Sequence, residues 1–163
     1  MLEATLRVIE HGGVAAVTHR AVAREAGLPA TSAAYHFGSV DALLVAALVR
    51  AVDRYSALLR RAAAAPDPIA ALAKALAGEL DGRRRPFVAE YELYLLAARR
   101  PALRPAAQRC VDDLAALARL RSDDPLAVRA FCAGVDGLLV QTLVTGTALT
   151  AREIEAVLRR LLT

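Results

Sequence analysis

The chain has 163 residues, 56% of them hydrophobic but only 4% aromatic, with 38 alanines, 26 leucines and no tryptophan. That length suits one ordinary domain or a domain with a small appended module, and the alanine and leucine pool favours helix over strand because these residues lose little on helix formation. A net charge of +4, from 20 arginines and one lysine against 17 acids, fits a nucleic-acid partner without demanding one; the ample apolar surface argues against disorder, and Cys110 and Cys132 alone do not make a disulfide scaffold.

Residues 1–10 are amphipathic and carry Glu3, Arg7 and Glu10, unlike a secretory leader. Leu2, Leu6 and Ile9 line one face of a first helix, which Gly12-Gly13 ends in the left-handed conformation a helix exit often takes. Thr18 then caps a short second helix over 19–26, stopped by Gly27. Pro29 opens the first turn of a third short helix reaching Tyr35 or His36. Ser39 caps a fourth, with Asp41 in its first turn and Leu44, Leu48, Val52, Tyr55 and Leu59 at helical spacing, running to the alanine block at 62–65. Pro66-Asp67-Pro68 is the clearest boundary, and further helices are expected over 68–81, 86–99, 102–121, 125–145 and 151–162. The longest apolar stretch, 137–151, is about 15 residues, short of the ~20 that a membrane span needs. The expectation is a soluble, cytoplasmic, all-helical protein with no membrane partner.

The informative segment is 18–44, T-H-R-A-V-A-R-E-A-G-L-P-A-T-S-A-A-Y-H-F-G-S-V-D-A-L-L. Two short helices flank a tight turn at Gly27, with small residues where they must cross closely. That is the outline of a helix-turn-helix, whose second helix enters the major groove, although any pair of short packed helices shares it. The residues go further. A first helix ending in Gly-Gly, then Val-Thr-His-Arg, Val-Ala-x-Glu-Ala-Gly-Leu, Tyr-His-Phe-Gly-Ser and Asp-Ala-Leu-Leu resembles the N-terminal DNA-binding domain of TetR-family transcriptional regulators.

The resemblance implies an all-α fold of about nine helices: a three-helix helix-turn-helix domain over 1–45, then a helical effector-binding and dimerisation domain over 46–163. It implies a ligand-responsive regulator, a repressor released by a small-molecule effector, bound as a homodimer to a palindromic double-stranded DNA operator, with no cofactor and no metal. Thr18 would hold a phosphate through its hydroxyl and the nearby helix N-terminus, or act as a cap alone. His19 and Arg20 follow it, Arg20 reaching backbone or a base edge. Pro29, Ala30, Thr31 and Ser32 open the recognition helix, where hydroxyls and methyls address base edges. Tyr35 and His36 would contact phosphates, while Phe37 plugs the small core beneath the motif.

Three departures bear on affinity. Family members usually carry a Lys where this chain has Val40, many have an aromatic where it has Ala34, and many have a basic stretch ahead of the first helix, where this sequence begins at once. Residues 1–38 hold three arginines and three glutamates. Each missing phosphate contact weakens non-specific binding and lowers its salt slope by roughly one unit, so operator binding weaker and less salt-sensitive than usual is expected, or else a start codon placed too late. Residues 83–121, by contrast, hold nine arginines and four acids. The run Arg83-Arg84-Arg85 attracts an anion or stands as a solvated loop before Pro86.

Phe87, Tyr91 and Tyr94 recur at helical spacing, with Phe131 on a later helix. The resemblance makes them the lining of an effector cavity, with Glu90, Asp136 and Gln141 as its polar groups; plain core packing is the alternative. The resemblance assigns Ala130, Gly134 and Gly137 on the penultimate helix, with Ile154, Leu158 and Leu161 on the last, to a two-fold dimer interface, although part of the last helix's apolar stripe must cover the chain's own core. Catalysis is not expected. His11, His19 and His36 all lie in the N-terminal module, no nucleophile elbow or phosphate loop is present, and two thiols without a nearby histidine do not complete a metal site. The alternative function is a helical small-molecule-binding protein whose DNA-binding module is weakened or lost.

Overall fold

The computed structural model describes residues 1–29 and 31–162. Among these residues there are nine α-helices, two short 3-10 turns and no strand. Residues 1–53 with 85–108 form one compact unit, and residues 54–84 with the chain from Arg109 onward form a second.

The first unit opens with α1 (Leu2–Gly12), whose Ala4, Leu6 and Ile9 are buried. Its exit is tighter than the usual left-handed cap, because Gly13 has φ 73 but ψ 174, a region open essentially to glycine alone. A Cβ on Gly12 would come 2.8 Å from the Ala16 Cβ, so the close return of the chain explains the first of the two glycines. After the 3-10 turn Val14–Ala16, α2 (His19–Glu25) starts on Thr18, whose Oγ1 accepts the Ala21 N–H at 3.0 Å. The helix ends in a Schellman motif: Gly27 has φ 68, and the Leu28 and Gly27 N–H groups donate to the Ala23 and Arg24 carbonyls.

Helix α3 is Ser32–His36, beginning later than the expected start at Pro29. The Ser32 N–H closes a turn on the Pro29 carbonyl at 2.9 Å. A single turn with α-type bonds follows, and Ala33 is buried at its centre. Helix α4 (Val40–Ala63) starts on Ser39, whose Oγ accepts the Ala42 N–H at 3.0 Å, and its first half packs Leu43, Leu44, Ala47, Leu48, Ala51 and Val52 into the first unit. Helix α6 (Arg84–Leu96) adds Phe87, Ala89 and Leu93 to the buried set. It ends three residues short of expectation, because N–H groups at Ala97, Ala98 and Arg99 reach carbonyls three residues back, the tightening common at helix ends.

The second unit contains α5 (Pro68–Gly82), α8 (Pro125–Thr145), α9 (Ala151–Leu161) and most of α7 (Arg104–Ala118). Each boundary has a local cause. Asp67 accepts the Ala70 N–H at 3.2 Å to cap α5, and Asp124 accepts the Leu126 N–H at 2.9 Å to cap α8. Thr150 and Glu153 form a capping box on α9, and Gly146, at φ 78, closes α8. The stretch expected as one helix over 102–121 is a 3-10 turn, Pro101–Leu103, followed by α7, which ends at Ala118. The core of this unit is built from Ile69, Leu72, Leu76, Phe131, Val135, Leu139, Ile154 and Leu158.

The arginine run is not a solvated loop. Arg83 pairs with Glu79 at 2.8 Å, and Arg84 donates to the Leu143 carbonyl at 2.6 Å. Arg84 thus satisfies a carbonyl in the last turn of α8, where a cation is also favoured by the helix dipole. Asp67 likewise serves twice, capping α5 and accepting from Arg159 of α9.

Candidate nucleic-acid interface and effector site

The helix-turn-helix residues fall into two groups. Thr18, Arg20, Pro29, Thr31, Tyr35 and His36 are exposed, while His19 and Ser32 are half-buried; Ala30 lies outside the described residues. The Thr18 oxygen is engaged as a cap, and its hydroxyl proton stays free to donate outward. His19 buries its Nε2 without a partner among the described residues. Tyr35 is 87% exposed and meets His36 edge-on, with ring centroids 5.3 Å apart. A large ring with almost none of its surface covered by its own chain is available to an external partner. Ala33, in contrast, is wholly buried and fixes which face of α3 points inward.

Charge in this segment is further reduced by pairing. Arg7 donates to Glu25 at 2.6 Å across α1 and α2, and that guanidinium holds the Glu25 carboxyl below its ordinary range. Arg20 makes no ion pair among the described residues. Val40, half-buried at the start of α4, offers no charge, and Asp41 beside it is paired with Arg100.

Glu92 is a contributor that sequence reasoning missed. Its Oε1 accepts the Val14 N–H at 2.6 Å, joining α6 to the turn between α1 and α2 across 78 residues of sequence. No local pattern signals such a bond, because an acidic residue on a helix is ordinarily a solvated one.

The expected effector residues lie on two helices. On α6, Phe87 is buried, Glu90, Tyr91 and Tyr94 are half-buried, and the rings step along one face with centroids 5.5 Å and 6.0 Å apart. On α8, Phe131 is wholly buried and Asp136 half-buried, whereas Gln141 is exposed on the outer side with Val140 and Val144. Phe131 and Gln141 therefore serve different faces of α8. Asp136 lies near both cysteines. Burial first, then the Asp136 and Asp113 charges, push the Cys110 thiol up to about 12; burial and Asp136 raise Cys132 as well. Asp113 also accepts from the Ser56 hydroxyl. Among the described residues, no three His, Cys, Asp or Glu side chains cluster closely enough to hold a metal ion.

The expected interface residues divide more sharply. Ile154 and Leu158 are 1% and 0% exposed within the single chain, which corrects their assignment to a partner surface: this half of the α9 stripe covers the chain's own core. Gly134 faces Leu161, whose Cδ1 would lie 2.2 Å from an added Cβ. Ala130 and Gly137 are half-buried, and a Cβ on Gly137 meets open space. The outer face of α8 carries Leu126 at 73% exposure and Val144 at 80%, with Val140 between them. Among the described residues α8 is the one helix long and apolar enough to cross a membrane. The apolar stretch at 137–151 belongs to it only as far as Thr145.

Residues 1–47 match the family model described as bacterial regulatory proteins, tetR family, and residues 64–163 match that of the Tetracyclin repressor-like C-terminal domain. The chain belongs to the TetR family. Two structures of the multidrug binding protein EbrR, complexed with ethidium and with proflavin, are each 40% identical to this chain and cover 98% of it. Their TM-scores are 0.82 and 0.77, over 95% and 96% of the EbrR chains. A TetR-family member from Streptomyces coelicolor A3, SCO1917, is 39% identical, with a TM-score of 0.87 over 98% of this chain and 94% of that one. No curated protein matches the chain. As a TetR-family transcriptional regulator, it joins an N-terminal DNA-binding domain to a C-terminal ligand-binding domain. Val40 and the Arg7–Glu25 pair leave this TetR-family headpiece with few charges for phosphate.

Proposed function

We propose that the chain is a cytoplasmic homodimeric repressor that leaves a palindromic operator when a flat aromatic cation binds its C-terminal helices. It performs no catalysis and needs no cofactor. Residues 1–45 serve DNA binding, and residues 46–163 serve ligand binding and dimerisation.

The observation that carries the ligand class is the aromatic face of α6. Phe87, Glu90, Tyr91 and Tyr94 recur at i, i+3, i+4 and i+7, so three rings in edge-on contact and a carboxylate share one side of the helix. Rings attract cations through their faces, and a carboxylate supplies the opposite charge. The relative EbrR, 40% identical, is a multidrug binding protein solved with ethidium. In the second unit, Phe131 and Asp136 of α8 are proposed ligand-domain residues in their own right, and Gln141 is the least supported because it is exposed.

Supporting the dimer, Leu126, Ala130, Ala133, Gly137, Val140 and Val144 lie at alternating spacings of four and three along the outer face of α8. This is the seam that two helices share when they pack side by side. Such an apolar stripe left in water favours association, and Gly137 lies on it, whereas Gly134 and Leu161, also candidates for the interface, face each other within the chain. Dimer symmetry would place two recognition helices, each with Thr31, Ser32, Tyr35 and His36, on successive half-sites.

The test is selection of DNA from a random pool, followed by affinity measurement with and without ethidium. The proposal expects an enriched palindrome, weaker binding when ethidium is present, and loss of ethidium binding in Tyr91→Ala. The Arg7–Glu25 pair favours the second reading, a ligand-binding protein with a weakened DNA module. Ethidium binding without any enriched DNA would establish it.

A further inference from the structure

We propose that Glu92 is a positioning residue for DNA recognition, holding the α1–α2 turn in place from α6. The proposal rests on the regulatory reading above and adds the residue through which α6 acts on the DNA-binding helices.

Val14 is the first residue of a 3-10 turn, so its N–H has no acceptor within that turn. The Glu92 carboxylate supplies one at 2.6 Å, in a part-buried setting. An ionised acceptor makes a bond roughly twice as strong as a neutral one. The backbone is shaped for this contact. Gly13 has φ 73 and ψ 174, and a Cβ there would come within 3.2 Å of Glu92 Oε1. Four residues after Val14 stands Thr18, the cap that launches α2 and with it the turn to α3. The carboxylate thus fixes the point from which both DNA-facing helices depart.

Arg7–Glu25, which joins α1 to α2, and the pairs Arg50–Glu3 and Arg100–Asp41 lie in the same unit, but their side chains are exposed by between 35% and 58%. Exposed pairs contribute little, and none of these three bonds to the α1–α2 turn itself. Glu92 does, and it stands next to Tyr91. The two side chains project about 100° apart around the helix, so one helix presents an aromatic face and, a quarter-turn away, the acceptor for Val14. A shift or rotation of α6 that moves Tyr91 also moves the acceptor.

The test compares wild type with Glu92→Ala and Glu92→Gln, the latter keeping a carbonyl acceptor. Three quantities are read: hydrogen exchange at the Val14 amide, affinity for DNA selected by the wild type, and the ratio of that affinity with and without ethidium. In Glu92→Ala, Val14 exchange rises on the order of tenfold, and specific affinity falls roughly tenfold. The ethidium ratio moves toward one while ethidium affinity and helix content stay at wild-type values. Glu92→Gln recovers most of each. Unchanged Val14 exchange in Glu92→Ala overturns the tether. Raised exchange with unchanged DNA affinity and ethidium ratio overturns its role in recognition. If the wild type enriches no DNA, the regulatory reading fails and the recognition role falls with it, while the exchange comparison still decides whether Glu92 holds Val14.

Discussion

Gly134 and Gly137 stand one turn apart on α8 and should respond oppositely to a single methyl group. A Cβ on Gly134 would lie 2.2 Å from the Leu161 Cδ1, whereas a Cβ on Gly137 meets nothing within 4 Å. Replacing glycine by alanine inside a helix stabilises it by about 1 kcal/mol. At Gly137 that gain stands unopposed in the isolated chain. At Gly134 it is offset by overpacking, typically 1–3 kcal/mol. Leu161 is the last residue of α9 and only half-buried, so its terminal methyl can swing aside and the cost falls at the low end of that range. The net expectation for Gly134→Ala is about 0–1 kcal/mol of destabilisation. For a chain of this size, 1 kcal/mol moves the melting midpoint by about 2–4 °C. Thermal melts at concentrations low enough to populate monomer should therefore place Gly137→Ala above wild type and Gly134→Ala at or below it. Sedimentation should also show Gly137→Ala to be the poorer dimer, because the added methyl occupies the proposed seam. A Gly137→Ala monomer that melts below wild type, or a Gly134→Ala that melts above it by the full propensity gain, would refute this account of the α8 faces.

Leu158→Arg places a charge in a wholly buried site and should abolish cooperative folding, whereas Val144→Arg, at 80% exposure, should give folded monomers by sedimentation; a folded Leu158→Arg would contradict the burial. With the Cys110 thiol pushed up to about 12 from an ordinary 9, alkylation at pH 8 should be about a thousandfold slower than for a free thiol, and unfolding in urea should restore it. The direction follows from burial and from Asp136 and Asp113, all of which disfavour the thiolate. Operator affinity measured across salt should show a shallow slope, since Arg7 is paired with Glu25 and Val40 carries no charge; a slope of many ion pairs would count against this reading of the headpiece.

Helix ends were the most legible part of the chain, because Thr18, Ser39, Asp67, Asp124 and Thr150 cap by bonds to residues two or three positions on. Their chemistry is local, and so is their sequence signal. The start of α3 at Ser32 is less legible for a related reason. Proline is acceptable both in a first helical turn and in the turn before one, and the Ser32–Pro29 bond selects the second. What sequence leaves open is long-range. An amphipathic stripe on α9 is plain, but only packing reveals that Ile154 and Leu158 cover the chain's own core. Three adjacent arginines look like a solvated run until the Leu143 carbonyl, 59 residues from Arg84, accepts from one of them. The helix-turn-helix was readable because its residue types are constrained by a tight turn and close crossing. Glu92 was not, because nothing near it in sequence shows that it meets Val14.

The central claim is that this chain reads DNA and releases it when a flat aromatic cation binds. It is tested most directly by measuring affinity for DNA enriched from a random pool, with and without ethidium, on the same protein preparation. The expected result is an enriched palindrome whose affinity falls when ethidium is added, with a shallow dependence on salt. Failure to enrich any sequence, or an affinity that ethidium leaves unchanged despite binding, would contradict it.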